Sequence, residues 1–340
     1  MLSLGKEVAL KDINKELKSL FAGDTARTNA CMMNFAIFTE DPSQLEENGK
    51  RISLITENQS CRALSIALDK DAETKSITSW VSAHCNMTNG KKTVCCEQLS
   101  FLLKGFVSGR LRNTVFANLN SDLPLVFWWQ GELTVGFEPR LYTIIDRFIF
   151  DSEEWANPKE CYHRLLDASN DVKRRFITQD LAWTRSYYVR LAFASIFDEP
   201  CAQKEYPNID TLTVRVGNGY KNTGSLLLAW IARQAGWTLI EKNKDSFVFQ
   251  NQEGNQINAS LTLEGSIPIA EVSVKSAQAS FTILHEENYL RQIITNESGT
   301  HQMLASSGKL DQVSLVLDQL SRGGKNSLLQ KTIPLFLELL

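Results

Sequence analysis

Residues Trp80–Gly105, WVSAHCNMTNGKKTVCCEQLSFLLKG, read as two strands closed by a turn, and the rest of the chain is organised around them. Asn89-Gly90 supplies the positive-φ pair that a two-residue hairpin turn needs, with alternating side chains on both flanks. The central hairpin is expected over 80–103. With Asn89-Gly90 as the turn, Cys85 falls opposite Val94, His84 opposite Cys95, and Ala83 opposite Cys96. Alternation along a strand then puts His84 with Cys95 on one face and Cys85 with Cys96 on the other. One tetrahedral ion cannot collect all four, and no paired C-x-x-C or H-x-x-x-H unit occurs, so no metal site is expected. The cysteines read as small hydrophobes filling a buried sheet, with a redox pairing of Cys85 and Cys96 as the alternative.

Outside the hairpin, 340 residues suggest two domains, each long enough to bury a core. A hydrophobic fraction of 43% and a charged fraction of 22% are those of a soluble globular protein. The net charge of −3 offers no footprint for nucleic acid, and the one short basic cluster, Lys173-Arg174-Arg175, reads as a solvated helix face. Lys6, Glu7, Lys11 and Asp12 interrupt any signal peptide and no apolar run is long enough to span a membrane, so a cytoplasmic protein is expected. Seven cysteines without a disulfide framework's spacing fit reduced thiols.

The fold class expected is α/β to α+β. In the N-terminal domain, 1–202, Ile13, Leu17, Leu20 and Phe21 make one apolar stripe of a helix. Met32–Thr39 is a buried strand, Asp41-Pro42 starts a helix to about Asn58, and Arg62–Asp69 completes a β-α-β unit. The run DLPLVFWWQG, 122–131, is an interior strand starting after Pro124, with Trp128 and Trp129 facing opposite ways and both suited to core packing. Helices follow over 140–147, 158–170 and 180–197, with a short strand at 148–151 between the first two. Together these form a mixed sheet with helices on its faces. Ala202–Asp210 reads as an interdomain linker.

The C-terminal domain, 203–340, opens with the strand Thr211–Val216, a glycine-containing loop Gly217–Ser225 and an apolar helix. Such an order can hold a phosphate, but Asn222 stands where a dinucleotide loop needs its third glycine and no Lys precedes Ser225 as a P-loop requires. The runs TLIEK, SFVFQ, QINASLTLEG, IAEVSVKS, ASFTILHEE and YLRQIIT then alternate, giving a mainly antiparallel sheet covered by helices near Leu310 and at the PLFLELL tail.

No G-x-S-x-G occurs, the four His are scattered, and no acid, base and nucleophile assemble. The expectation is a binding or regulatory protein with no catalytic residue and no cofactor. The alternative is a sugar-phosphate- or nucleotide-binding sensor or enzyme using Gly217–Ser225.

SWVSAHC, TVCCEQLSF, DLPLVFWWQGEL, FIFDS, DLAWTR and TGSLLLAWIARQAGW, in that order over roughly 51–240, resemble the OpcA family of glucose-6-phosphate dehydrogenase assembly proteins. The resemblance implies a non-catalytic partner that binds glucose-6-phosphate dehydrogenase, promotes its active oligomer and raises flux into the oxidative pentose phosphate pathway. It also implies thioredoxin-linked redox control through Cys85, Cys95 or Cys96. The chain departs from the family pattern at Ala182, where Asn is commoner, and at Tyr188-Val189, where a Pro-Trp pair is. Trp128, Trp129, Trp183, Arg185 and Arg190 are the candidate partner-binding residues, because Trp and Arg most often dominate interfaces.

Overall fold

A computed structural model describes residues 4–22, 31–88, 91–105, 109–171, 176–322 and 327–340. Asn89-Gly90 and Lys173-Arg174-Arg175 lie outside the described residues. Contacts divide the chain into two units, Met1–Gln179 with Val316–Gly324, and Asp180–Leu315 with Lys325–Leu340. The division falls before the helices that follow Asp180 rather than at residue 202.

The first unit opens with β1 (Lys6–Val8), α1 (Ile13–Ala22), β2 (Met33–Thr39), α2 (Leu45–Thr56) and β3 (Cys61–Asp69). The hairpin β4 (Ser76–Thr88) and β5 (Lys91–Lys104) follows, then α3 (Arg110–Asn118) and β6 (Leu125–Trp129). α4 (Pro139–Tyr142), β7 (Arg147–Phe150), α5 (Pro158–Asp171) and β8 (Ile177–Asp180) complete it. The sheet order is β1-β4-β5-β3-β2-β6-β7-β8, and β5, β3, β2, β6 and β7 run parallel. All seven residues of β2 are buried, which is why it reads as an unbroken apolar run rather than an alternating one. Asn34, one of its two polar residues, is satisfied by the loop before β6: its Nδ2 donates to the Asn120 and Leu123 carbonyls at 2.9 and 3.0 Å, and its Oδ1 accepts from Asn120 N. The β-α-β unit forms as expected. The helix expected over 140–147 is shorter, Pro139–Tyr142, because Arg147 already enters β7.

The hairpin register differs from the expected one. Cys85 pairs with Cys95, His84 with Cys96 and Ala83 with Glu97, and the register shifts between Cys85 and Met87. That irregularity slips the second strand by one residue, which carries every side chain beyond it to the other face.

The second unit holds α6 (Leu181–Arg185), α7 (Tyr187–Ile196), α8 (Pro200–Glu205), β9 (Thr211–Val216) and α9 (Lys221–Gln234). Seven strands follow: β10 (Thr238–Asn243), β11 (Ser246–Gln250), β12 (Gln256–Leu263), β13 (Glu271–Lys275), β14 (Ser280–His285), β15 (Tyr289–Asn296) and β16 (Gly299–Ser306). α10 (Gln312–Ser321) is divided between the units, and α11 (Ser327–Leu339) packs on α9. The order is β10-β11-β12-β9-β13-β14-β15-β16, antiparallel except where β12 meets β9. The helix expected over 180–197 breaks at Ser186, whose hydroxyl donates to the Trp183 carbonyl at 2.8 Å. The expected linker is helical, α8 followed by a 3-10 turn at Tyr206–Asn208.

Gly224 sets how closely α9 lies on the sheet. A Cβ there would sit 2.5 Å from Leu261 Cδ1 and 2.8 Å from Val216 Cγ1. Gly224→Ala is therefore expected to lower stability by about 1–3 kcal/mol through overpacking, read as a shifted denaturant midpoint with unchanged slope.

Candidate functional site

A doubly wound parallel sheet binds ligands where its strand order reverses, outside the carboxyl ends of the strands. In the first unit that point lies between β2 and β6, since the chain leaves β2 toward β3 on one side and β6 joins on the other. The residues there are Glu40 and Asp41 after β2, and Gln130 to Phe137 after β6.

The β2–α2 turn, EDPSQ over 40–44, contains no glycine. Its Asp41 carboxylate accepts from Ser43 N at 3.0 Å and from Ser43 Oγ at 2.7 Å. A carboxylate thus already takes the place at the helix start where a pyrophosphate would be held. The Ser43 hydroxyl and amide hold the Asp41 carboxyl below its ordinary range, so it stays ionised. Glu40 adds a second negative charge, shared between Lys70 Nζ at 3.5 Å and the Thr134 hydroxyl.

The segment Gly131–Phe137 occupies the crevice itself. Trp129, fully buried, donates from Nε1 to the Glu132 carbonyl at 2.8 Å and packs against Phe38 with ring centroids 4.5 Å apart and planes tilted by 56°. Gly136 lies so close that a Cβ would be 3.2 Å from Trp129 Cη2. Gly131 N donates to Glu154 Oε2 at 2.6 Å, Trp155 Nε1 donates to the Gly131 carbonyl at 3.2 Å, and Arg164 donates to the Leu133 and Thr134 carbonyls. Beneath the segment, Arg51 donates to Asn48 and Asn48 to buried Gln130, at 2.7 and 2.8 Å. The crevice is filled, acidic at its mouth and hydrogen-bonded throughout. Sequence reasoning passed over this constellation; its signal was Glu-Asp-Pro where a nucleotide loop would carry glycines.

The central cysteines separate into two kinds. Cys85 and Cys95 form a disulfide, with Cα atoms 4.0 Å apart. This corrects the expectation of reduced thiols that only fill the sheet, and the alternative pairing of Cys85 with Cys96. Cys96 is free and buried on the opposite face, near Cys61 and Cys31. Burial pushes all three thiols up, Cys31 to about 11 with help from the Glu97 charge. At pH 8 only about one Cys31 in a thousand is a thiolate. Iodoacetamide at that pH is expected to leave Cys31, Cys61 and Cys96 unmodified in the folded chain while labelling them in denaturant, checked by peptide mass spectrometry. His84 bonds Gln98 Oε1 at 2.6 Å through Nε2. Among the described residues no group of three or more His, Cys, Asp or Glu could hold a metal ion.

The candidate partner-binding residues are all interior. Trp128 and Trp129 are at most 1% exposed, Trp183 3%, Arg185 8% and Arg190 7%. Arg190 stacks its guanidinium 3.4 Å from the Trp183 ring centroid and donates to the Trp183 carbonyl at 2.8 Å and to Ser186 Oγ. Arg185 lies 5.4 Å from the Tyr220 ring centroid. These side chains join α6, α7 and α9 from inside. The expected loop Gly217–Ser225 is likewise shorter than it reads, because α9 starts at Lys221 and buries Asn222, Thr223 and Ser225. Its last glycine, Gly224, serves helix-to-sheet packing rather than a loop.

Comparisons with known proteins bear on the same geometry. The family profile described as glucose-6-phosphate dehydrogenase subunit N-terminal domain matches residues 53–167, and the profile of the corresponding C-terminal domain matches 177–333. No curated protein sequence matches the chain. Among solved structures, KijD10, a 3-ketoreductase from Actinomadura kijaniata in complex with NADP and TDP-benzene, is similar in fold. It is 7% identical over 89% of this chain and 94% of its own, with a TM-score of 0.50. An NAD-binding protein from Listeria innocua is 10% identical over 90% of this chain and 92% of its own, with a TM-score of 0.49. At these identities the likeness is one of fold alone.

Proposed function

Because the chain belongs to the OpcA family of glucose-6-phosphate dehydrogenase assembly proteins, we propose that it is a non-catalytic activator that binds that enzyme in the cytoplasm and favours its active oligomer. The observation that carries the non-catalytic part is the β2–β6 crevice, filled by Gly131–Phe137 and lined at its mouth by Glu40 and Asp41. In this reading the enzyme alone holds NADP and the sugar phosphate. The partner acts by mass action: binding one oligomeric state more tightly than the others shifts the population by the ratio of the two affinities.

The test titrates the protein into glucose-6-phosphate dehydrogenase while following NADPH formation and complex mass together. A saturable rise in rate with a stable complex is expected; no complex and no change in rate would sink the proposal. The Cys85–Cys95 bond supports a further element, redox control by a dithiol protein such as thioredoxin, with buried Cys96 outside it. Equal activation by the reduced and oxidised protein would remove that element and leave the rest standing.

A further inference from the structure

The sheet of the second unit carries α7 and α9 on one face. Gln292 of β15 donates to the Ala192 carbonyl and Ser195 Oγ of α7, and Gly224 of α9 rests on Val216 and Leu261 of the same face. Between the C-terminal parts of these two helices lies a cavity of about 440 Å³. Its walls are aromatic: Phe193 and Phe197 from α7 and its end, Trp230 and Trp237 from α9 and the residues after it, and Tyr206 from the turn after α8. The sheet contributes Val274 of β13.

Protein interiors leave few voids larger than a water molecule, so a space of this size needs a structural reason to stay open. Hydrogen bonds supply it by pinning the connector between α7 and β9. The Tyr206 hydroxyl donates to the Ala235 carbonyl at 2.7 Å, Gln203 Nε2 to the Phe197 carbonyl at 3.0 Å, and Asn251 Nδ2 to the Pro207 carbonyl at 3.1 Å. Held at both helix ends and from β11, the connector cannot swing inward to fill the gap. The rings themselves stand edge to face, Phe193 against Trp230 at 72° and Phe197 against Tyr206 at 86°.

Among the described residues, no Asp, Glu, Lys, Arg or His lines the cavity. Arg190, 5.9 Å from the Trp230 ring centroid, is not part of the lining and is already engaged by Trp183 and Ser186. Apart from ring N–H and hydroxyl groups, the polar side chains of the lining are Gln203 and Gln234, both exposed at the mouth. Gln234 makes no side-chain hydrogen bond to the described residues.

We propose that this cavity binds a neutral, planar aromatic small molecule with one hydroxyl or amide on its edge. A charged ring would lose its hydration there and meet no counter-charge. A further ring gains offset or edge contacts with aromatic walls that an aliphatic chain of equal area does not. The volume falls within the range of about 300–1,000 Å³ that small-molecule sites occupy. A hydroxyl or amide both gives and takes a hydrogen bond, as do the two carboxamides at the mouth.

The test is calorimetric titration of the full chain with 2-naphthol at neutral pH. One site with a Kd on the order of 10–100 μM is expected. Naphthalene-2-sulfonate, the same rings with a fixed charge, is expected to bind at least about tenfold more weakly. Ala194→Phe with Ala235→Phe fills the cavity from two lining positions that are exposed and half-buried, and is expected to abolish 2-naphthol binding with the far-UV spectrum unchanged. No binding of 2-naphthol at about 1 mM, equal affinity for the sulfonate, or unchanged binding by the filled variant overturns the proposal. So does a filled variant that loses its complex with glucose-6-phosphate dehydrogenase, since the cavity would then receive a side chain of that enzyme. Should the filled variant fail to fold, 5-fluorotryptophan in the wild type decides. The Trp230 and Trp237 resonances must shift with 2-naphthol while those of Trp128, Trp129 and Trp155 stay, and any other pattern refutes the site. None of the 2-naphthol measurements needs the dehydrogenase, so they stand or fall apart from its activation.

Discussion

Trp129→Ala is expected to destabilise the first unit by about 4 kcal/mol, the largest single effect in the chain. Trp129 is fully buried on the last residue of β6, and its ring meets Phe38, Phe127, Phe137 and Phe148 at centroid distances from 4.5 to 6.3 Å. Truncation opens a cavity against four aromatic rings and removes the indole donor to the Glu132 carbonyl. Three costs then add: lost transfer energy, the void, and the lost hydrogen bond. A shift of that size lowers the melting temperature by about 8–16 °C in a unit of this length. Calorimetry of the full chain checks it; a shift of only a degree or two would show that the segment Gly131–Phe137 does not depend on the indole. Trp129→Phe should recover most of the packing and none of the hydrogen bond, so its loss isolates the donor at about 1–2 kcal/mol.

Arg190→Ala is expected to cost the second unit about 3 kcal/mol. The guanidinium is buried between the Trp183 and Trp230 rings, with centroids 3.4 and 5.9 Å away, and it satisfies the Trp183 carbonyl where α6 ends. Stacking of a desolvated cation on tryptophan contributes about 2 kcal/mol, and the lost hydrogen bonds from the charged group add about 1.5–3 more, partly offset because the charge no longer has to be buried and because the Trp183 carbonyl keeps its bond from the Ser186 hydroxyl. Arg190→Lys separates shape from charge. An ammonium keeps the charge but cannot lie flat on an indole while forking to two oxygens, so most of the loss should remain. Denaturant titration with a tryptophan fluorescence probe reads both variants, and full retention of stability in Arg190→Lys would refute the stacking account.

Much of the fold was legible because it rests on local patterns. β2 and β6 announced themselves as apolar runs, and Asp41-Pro42 marked the start of the crossover to β3. The alternating runs after Trp237 gave six of the second unit's strands. β16 escaped because GTHQMLAS, exposed on both faces, has no apolar period to read. The hairpin register escaped because the irregularity between Cys85 and Met87 leaves no mark in composition, yet it decides which thiols can bond. The site residues were hardest. Trp183, Arg185 and Arg190 have the chemistry of an interface, and only burial distinguishes an arginine that meets a partner from one that stacks within its own helices. The crevice was hidden for another reason: its contents come from Glu40, Asn48, Gly131–Phe137, Glu154 and Arg164, which only the folded sheet brings together.

The filled crevice has a consequence for how the protein is supplied to its surroundings. A chain that folds around a dissolved nucleotide has a stability, and hence an abundance, that follows the concentration of that nucleotide. Here the capping carboxylate of Asp41 and the segment pinned by Glu154 and Arg164 are covalently part of the chain, always present at saturation. The melting temperature is therefore expected to be the same with and without millimolar NADP. A fold closed by its own side chains keeps its stability through swings in nucleotide concentration that would thin out a nucleotide-dependent fold.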